Sequence, residues 1–125
     1  MGEKIEIMIG TVICEAELFD TACAKAITDI LPIQAAPEEW GDEFYFEIPL
    51  ALPLDETATT DVTIGDIGYW PPGNALAIFF GPTPLSTGMN PVPASKVNHV
   101  GKIVGDARVL KKAKGSKKIS LRKIL

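Results

Sequence analysis

The sequence contains no apolar run of about 18 residues, the length that a membrane-spanning helix needs. Its opening, MGEKIEIMIG, mixes charged and apolar residues and lacks the basic and apolar regions of a signal peptide. Two cysteines, Cys14 and Cys23, are too few for a disulfide framework, and the single histidine, His99, has no cluster of metal ligands around it in the sequence. We therefore expect a cytoplasmic protein with reduced cysteines, no membrane association, no metal and no cofactor.

Basic residues are scarce in the first hundred positions, since nine of the 12 lie from Lys102 onward and the first arginine is Arg108. Acidic residues show the opposite distribution, with 15 of 16 at or before Asp66. A basic terminal segment is typical of nucleic-acid contact, but no aromatic residue follows Phe80 to stack on bases. Alternating apolar residues in that segment favour an ordinary strand, so we expect no nucleic-acid partner.

The composition is that of one globular domain spanning residues 1–125. Hydrophobic residues make up 46% of the chain and charged residues 22%, which supports one sizeable core. The densest apolar run, ALAIFF at residues 75–80, follows Tyr69, Trp70 and a Pro-Pro-Gly turn. Because this run is short, β-branched and aromatic, it predicts a strand buried on both faces. We expect a hairpin in which Gly73 supplies the positive φ of the turn.

Elsewhere, alternation of apolar and charged residues predicts strands at residues 4–9, 12–18, 43–48, 97–104 and 118–124, with a bulge at Gly101. Shorter strands are expected around 50–52 and 107–112. Apolar residues from Phe19 to Leu31 recur at helical spacing and predict one amphipathic helix over residues 19–31, which Pro32 ends. The fold class is therefore mainly β: a closed barrel of about eight strands with one capping helix.

Several stretches resemble cyclophilins in sequence order, although at low identity. GTVICEAELFDTACAKAITDILP is similar to their opening, KVNHVGKIVGD to a late strand, and GSKKISLRKIL to the closing strand. WGDEFYF and GDIGYWPPGNALAIFFGPTP are similar to motifs of a small prokaryotic cyclophilin-like family of uncharacterised function. The resemblance covers nearly the whole chain and implies an eight-stranded cyclophilin barrel. The second helix of the larger relatives falls at residues 86–94, which are few and Pro-rich here, so we expect that helix to be reduced or missing.

The resemblance to cyclophilins, which are peptidyl-prolyl isomerases, also bears on catalysis. The cyclophilin arginine that hydrogen-bonds near the prolyl nitrogen corresponds to Phe46 in this sequence, and the glutamine beside it corresponds to Ile78. The phenylalanine of the cyclophilin proline pocket corresponds to Phe80. Their pocket tryptophan and histidine correspond to about Val92 and Val97. Because a positioned donor is worth about 10²–10³ in rate, the resemblance implies weak or absent isomerase activity.

Aromatic residues beside Pro and Gly turns suit the binding of an extended or proline-containing peptide. Tyr45 belongs to this aromatic set, whereas Phe79 is expected to pack in the core. Each candidate also has a structural alternative. For the aromatic residues, Asn98 and His99 this alternative is packing within the barrel, and for Glu43 it is a solvated position on a strand. The candidate ligand-binding residues are Trp40, Glu43, Tyr69, Trp70, Phe80, Asn98 and His99.

Three functions stay open at this point. The first is a barrel that binds a peptide or small ligand in an aromatic groove, with weak or no prolyl isomerase activity. The second is an active peptidyl-prolyl isomerase with a remodelled site. The third is a small-molecule enzyme or sensor that uses the barrel mouth, with Glu43 or His99 as the acid–base group. A monomer and a homodimer are both compatible with the sequence.

Overall fold

The computed structural model describes residues 2–124 of the chain. It contains one α-helix, α1 (Ala22–Asp29), and two 3-10 helices, η1 (Pro71–Gly73) and η2 (Ala107–Ala113), within those residues. The strands are β1 (Glu3–Ile9), β2 (Val12–Leu18), β3 (Ile33–Ala35), β4 (Glu38–Glu39), β5 (Glu43–Glu47), β6 (Ala58–Thr59), β7 (Asp66–Trp70), β8 (Ala75–Phe79), β9 (Val97–Ile103) and β10 (Ile119–Lys123). Two of them, β4 and β6, have only two residues each. The mainly β class with about eight substantial strands is confirmed.

All strands pair antiparallel in one curled sheet with the order β3-β10-β1-β2-β9-β7-β8-β5-β4, and β6 pairs with β9. The two ends of this path, β3 and β4, are separated in sequence only by Ala36 and Pro37. One bent segment, residues 33–39, therefore pairs with β10 through its first half and with β5 through its second. By hydrogen bonding the sheet is a half-barrel, and the covalent chain through Pro37, which has no N–H to donate, joins its two ends.

The helix α1 lies where the apolar stripe predicted it but is shorter than residues 19–31. It begins after Thr21, whose side chain accepts a hydrogen bond from the Ala24 amide at 3.2 Å. Phe19 remains in extended pairing, with its amide donating to the Val100 carbonyl at 2.8 Å. At the other end, Ile30 leaves helical geometry with φ −100° and ψ 4°. The flanking apolar residues still pack on the core, so they continue the stripe without being helical.

The main core fills the interior of the curled sheet, with α1 packed over it. β5 contributes Phe44 and Phe46, whose alternate positions face inward. β8 is buried on both faces, as predicted: Leu76 and Ile78 belong to the main core, whereas Ala77 and Phe79 belong to a second, smaller cluster with Val62 and Val97. The second cluster lies on the outer face of the sheet, where Tyr45 and Trp70 pack against it.

The hairpin of β7 and β8 is confirmed, with one change at its turn. The positive φ is supplied by Asn74, at 47°, rather than by Gly73. Asn tolerates the left-handed region better than most residues, and its amide closes the turn on the Pro71 carbonyl.

Two predicted short strands are wrong. Residues 107–112 lie in η2, where the Asp106 side chain accepts from the Arg108 amide at 3.0 Å and Ala107, Leu110 and Ala113 are buried at the spacing of three that a 3-10 helix requires. Residues 50–52 form no strand. In the long excursion that follows β5, residues 49–61, the strand pairing is made by β6 instead. Residues 86–94 contain no helix, as expected.

A bulge lies one residue before Gly101, where Val100 is skipped between the pairs Ile67↔Gly101 and Gly68↔His99.

Candidate functional site

A small cavity of about 140 Å³ lies on the outer face of the sheet, over β5 and β8. Glu43 and Tyr45 reach it because they alternate with the inward-facing Phe44 and Phe46. Phe79 reaches it because it pairs directly with Glu43 across the two strands. The residues that line it are Trp40, Glu43, Tyr45, Trp70, Phe79, Pro93, Ala94 and Val97. The cavity is therefore apolar apart from one carboxyl group.

That carboxyl group, of Glu43, is buried in spite of its charge. The residue is 7% exposed, and its Oε1 has no hydrogen-bond partner among the described residues. Burial raises the pKa of Glu43 to about 7 because desolvation disfavours the carboxylate. A buried acceptor without a partner is costly, so this atom is available to a ligand in the cavity.

Local backbone contacts position the two tryptophans. Trp40 begins a tight turn in which its amide donates to the Glu43 carbonyl at 3.0 Å. Trp70 ends β7, and its indole Nε1 donates to Ser95 Oγ at 2.7 Å. The N–H of Trp70 is thus already used, and what this residue offers to a ligand is its ring.

A second, more open depression of about 470 Å³ adjoins the cavity, and the two share Tyr45 and Trp70. The acidic side chains of Glu38 and Glu47 contribute to its lining, together with backbone and apolar atoms around Pro37 and Gly73. Among the residues that the structure describes, no lysine, arginine or histidine lines either depression. Together the two depressions form a groove with aromatic residues at its centre and acidic residues along it.

The comparison with known proteins identifies the fold family. The family model described as cyclophilin-like matches residues 3–122. The chain belongs to the cyclophilin-like family.

Among solved structures, this cyclophilin-like chain is similar to the solution structure of a hypothetical protein from Archaeoglobus fulgidus. The two are 34% identical, the match covers 98% of this chain and 95% of the other, and the TM-score is 0.81. No curated protein matches this sequence. The family match and the structural match therefore confirm the family and the fold that the resemblance predicted. Neither of these two matches names a ligand or a reaction.

The cyclophilin-like barrel brings three of the seven candidate residues together in the cavity: Trp40, Glu43 and Trp70. Phe80 lies elsewhere, fully buried in the main core and stacked on Phe44 with ring centroids 4.8 Å apart. Tyr69 is also fully buried, and its hydroxyl donates to the Leu50 carbonyl at 2.5 Å and accepts from the Leu52 amide at 3.1 Å. Both residues face the interior.

Asn98 anchors the long excursion that follows β5. It is 0% exposed, its Oδ1 accepts from the Asp55 amide at 2.9 Å, and its Nδ2 donates to the Pro53 carbonyl at 3.0 Å. Cys23 on α1 lies 3.6 Å from the same nitrogen. The side chain thus links β9, the excursion and the helix.

His99 makes a separate polar pair. Its Nε2 lies 3.2 Å from Asp66 Oδ1, an ion-pair distance without the alignment of a hydrogen bond, and its ring meets Phe19 edge-on at 5.0 Å. Contact with Asp66 raises the pKa of His99. Burial opposes ionisation of Asp66, but His99 and Thr63 outweigh it and lower the pKa of that carboxyl. Neither residue of this pair lines the cavity.

Sequence reasoning missed Phe79, Pro93 and Ala94 as lining residues, and it noted Val97 only as the position that corresponds to the pocket histidine of cyclophilins. The resemblance to cyclophilins assigned the pocket to Phe80, whereas Phe79 is the residue opposite Glu43. The alternation of β5 was the available signal, since it puts Glu43 and Tyr45 on one face, and antiparallel pairing then fixes which phenylalanine of β8 shares that face.

No group of three or more His, Cys, Asp or Glu side chains in residues 2–124 is arranged to hold a metal ion. Within the same residues, no helix has the length and apolar character to cross a membrane.

Proposed function

We propose that this cyclophilin-like barrel binds a ligand in the outer cavity, with Glu43 as the polar contact and Trp40, Tyr45, Trp70 and Phe79 as the apolar walls. One observation carries the proposal: Glu43 Oε1 is buried, unpartnered and beside an apolar cavity. Binding sites combine apolar walls with a few placed polar groups, and a perturbed carboxyl at such a cavity is a mark of function. The adjoining depression gives room for an extended peptide or the remainder of a small molecule.

Efficient prolyl isomerisation is not part of the proposal. Within residues 2–124, no positively charged side chain lines the cavity or the adjoining depression. Uncatalysed X-Pro isomerisation takes tens to hundreds of seconds, and a catalyst must stabilise the twisted amide. Without a positioned cationic donor, a loss of about 10²–10³ in rate relative to a working isomerase is expected.

The experiment is two-dimensional NMR exchange spectroscopy on a short Ala-Pro peptide, with and without the protein. Shifted peptide resonances without added cis–trans exchange are the expected result for a binding protein. Exchange at a rate comparable to that of a true cyclophilin would overturn the non-catalytic proposal.

Two variants separate the pocket from the core. Tyr45→Ala removes a half-buried wall of the groove and is expected to weaken peptide binding. Met89→Ala, at an exposed position of the loop before Pro93, is the control and should leave binding unchanged. Equal affinities for the two variants would argue against this cavity as the binding site.

A second candidate function, acid–base chemistry on a small molecule, is favoured by the pKa of Glu43, which burial raises to about 7. A group with a pKa near the working pH is the most effective general acid or base. Under this alternative, turnover of a substrate would be lost in Glu43→Gln while its binding is retained. His99 and Glu43 do not share the cavity, so they do not form one acid–base pair there.

A further inference from the structure

The cavity combines aromatic rings with a single carboxyl group, and this combination restricts the ligand. Two tryptophans, one tyrosine and one phenylalanine line a space of about 140 Å³. Aromatic faces attract cations through the ring quadrupole, and quaternary ammonium ligands are bound by such aromatic cages. The carboxylate of Glu43 in the same space supplies the counter-charge, and its Oε1 has no hydrogen-bond partner among residues 2–124.

The charges around the cavity also favour a cationic ligand. Glu38 and Glu47 line the adjoining depression, and the described part of the chain puts no cationic side chain in the lining of either space. Lys111 and Lys114 of the C-terminal segment contact Asp42, the residue before Glu43, at 3.6 and 2.8 Å and do not line the cavity. An acidic cleft attracts cations and repels carboxylate or phosphate ligands.

The size of the cavity matches a head group rather than a whole ligand. Sites for complete small molecules are usually about 300–1,000 Å³, whereas this cavity measures about 140 Å³. The adjoining depression of about 470 Å³ can take the rest of a larger ligand past Tyr45 and Trp70.

We propose that the cavity is a site for an alkylated ammonium group, held by the rings of Trp40, Tyr45 and Trp70 and by the carboxylate of Glu43. This inference rests on the proposed binding function and names its ligand class. The ammonium group can belong to a free small amine or to a methylated lysine in a peptide, and the arms of the experiment distinguish these two sources.

The chain is well suited to a direct measurement. It has two tryptophans, and both line the cavity. Tryptophan fluorescence and the two indole N–H resonances therefore report on this site. The probes are choline, its neutral isostere 3,3-dimethylbutan-1-ol, and two short peptides of one sequence with trimethyllysine or unmodified lysine. The Ala-Pro peptide is titrated alongside them.

Choline at pH 8 is expected to shift both indole resonances saturably, with an affinity at least about tenfold above that of the neutral isostere, since 1.4 kcal/mol corresponds to tenfold. Glu43→Gln should reduce the choline affinity by about tenfold and leave the isostere unchanged. Glu3→Gln, at an exposed glutamate of β1 that lines neither depression, is the matched control and should retain the preference for choline. Tighter binding of the trimethyllysine peptide than of choline assigns the group to a peptide, and the reverse assigns it to a free amine.

A second readout does not depend on the variant. Choline affinity of the unmodified protein should rise from pH 6 to pH 8 as Glu43 ionises. Among the described residues that line the cavity, Tyr45 is the only other titratable side chain, and the lining residues from β8, β9 and the segment at Pro93 and Ala94 are uncharged. This measurement decides the matter even where Glu43→Gln fails to fold.

The two levels of failure are distinguishable. Equal affinity for choline and its isostere, or no effect of pH and of Glu43→Gln, overturns the ammonium class while leaving a binding site in place. No response of the tryptophans to any probe, the Ala-Pro peptide included, overturns both this inference and the proposed function.

Discussion

Glu43 is the residue whose environment departs furthest from what its type prefers. Glutamate is rarely buried unless it is paired, yet Glu43 is 7% exposed and its Oε1 is unpartnered in the described structure. Its burial costs free energy of folding whenever it is ionised. The proposed binding function, which needs a carboxyl in an apolar space, would account for this cost.

The pH dependence of stability tests this environment. The pKa of Glu43 is raised from its ordinary 4.5 to about 7 in the folded protein, so between these values the folded state binds more protons than the unfolded state. Stability therefore falls as the pH rises through this window, by about 3 kcal/mol for this group. Glu43→Gln should remove that fall, measured by chemical denaturation at pH 5 and pH 8.

His99 contributes to the same trend, because contact with Asp66 raises its pKa and the stability it adds is lost as the pH rises. Both proteins in the comparison retain His99, so their difference isolates Glu43. An unchanged pH profile in Glu43→Gln would contradict the burial of this carboxyl.

Asn98 gives a second prediction at the level of one residue. Asn98→Ala leaves the Asp55 amide and the Pro53 carbonyl without their partner, and we expect the free energy of unfolding to drop by about 1–3 kcal/mol. The exposed Asn90→Ala serves as the control. Limited proteolysis of Asn98→Ala should cut first within residues 49–61, and a cleavage pattern like that of the unmodified protein would argue against the anchoring role.

At the level of elements, the packing of β7 against β9 positions one wall of the cavity. Gly68 on β7 lies against Val97, which lines the cavity. A Cβ at Gly68 would come within 2.6 Å of Val97 Cγ2 and 2.8 Å of its Cβ. The close approach of β7 and β9 beside the bulge thus depends on the absence of a side chain.

Gly68→Ala is therefore expected to destabilise the protein by about 1–3 kcal/mol through overpacking. Gly88→Ala, where a Cβ meets nothing within 4 Å, should have little effect. Thermal unfolding of the two variants makes the comparison, and equal melting temperatures would contradict the packing described for this pair of strands.

At the level of the whole molecule, the two faces of one sheet have different surroundings. Its interior holds the main core, including Phe80, and its exterior holds the cavity, including Phe79. Loops distant in sequence complete the exterior: Trp40 from one side, and Pro93 and Ala94 from the other.

This division predicts different effects for the adjacent phenylalanines. Phe80→Ala should lower the free energy of unfolding by about 3–5 kcal/mol, since it empties the core beside Phe44. Phe79→Leu keeps an apolar side chain on the outer face and should mainly weaken ligand binding. Denaturation and tryptophan titration on both variants test the assignment. A ligand-binding defect in Phe80→Ala without loss of stability would reverse it.

The sequence by itself determined the longer strands, the helix and the hairpin, because alternation and helical spacing are local consequences of which side chains avoid water. The family followed from the resemblance of its motifs to cyclophilins. The sequence also named Trp40, Glu43 and Trp70 as candidates, since aromatic residues next to turns and a glutamate opposite an inward phenylalanine are visible locally. Resemblance put Phe80 in the pocket and Phe79 in the core, and periodicity could not test that assignment because a strand buried on both faces shows no alternation. Pairing with β5 decided the assignment.

Only the tertiary structure decided that Glu43 is buried and that Asn98 and Tyr69 hold loops. On a strand with one polar face, the default for a glutamate is exposure to water. That default is overturned by residues about 27 to 54 positions away, Trp70 and Val97 among them, which cover the outer face of β5. Such coverage depends on which distant segments pack over β5 in the folded protein. Hydrophobic periodicity within one element gives no information about those segments.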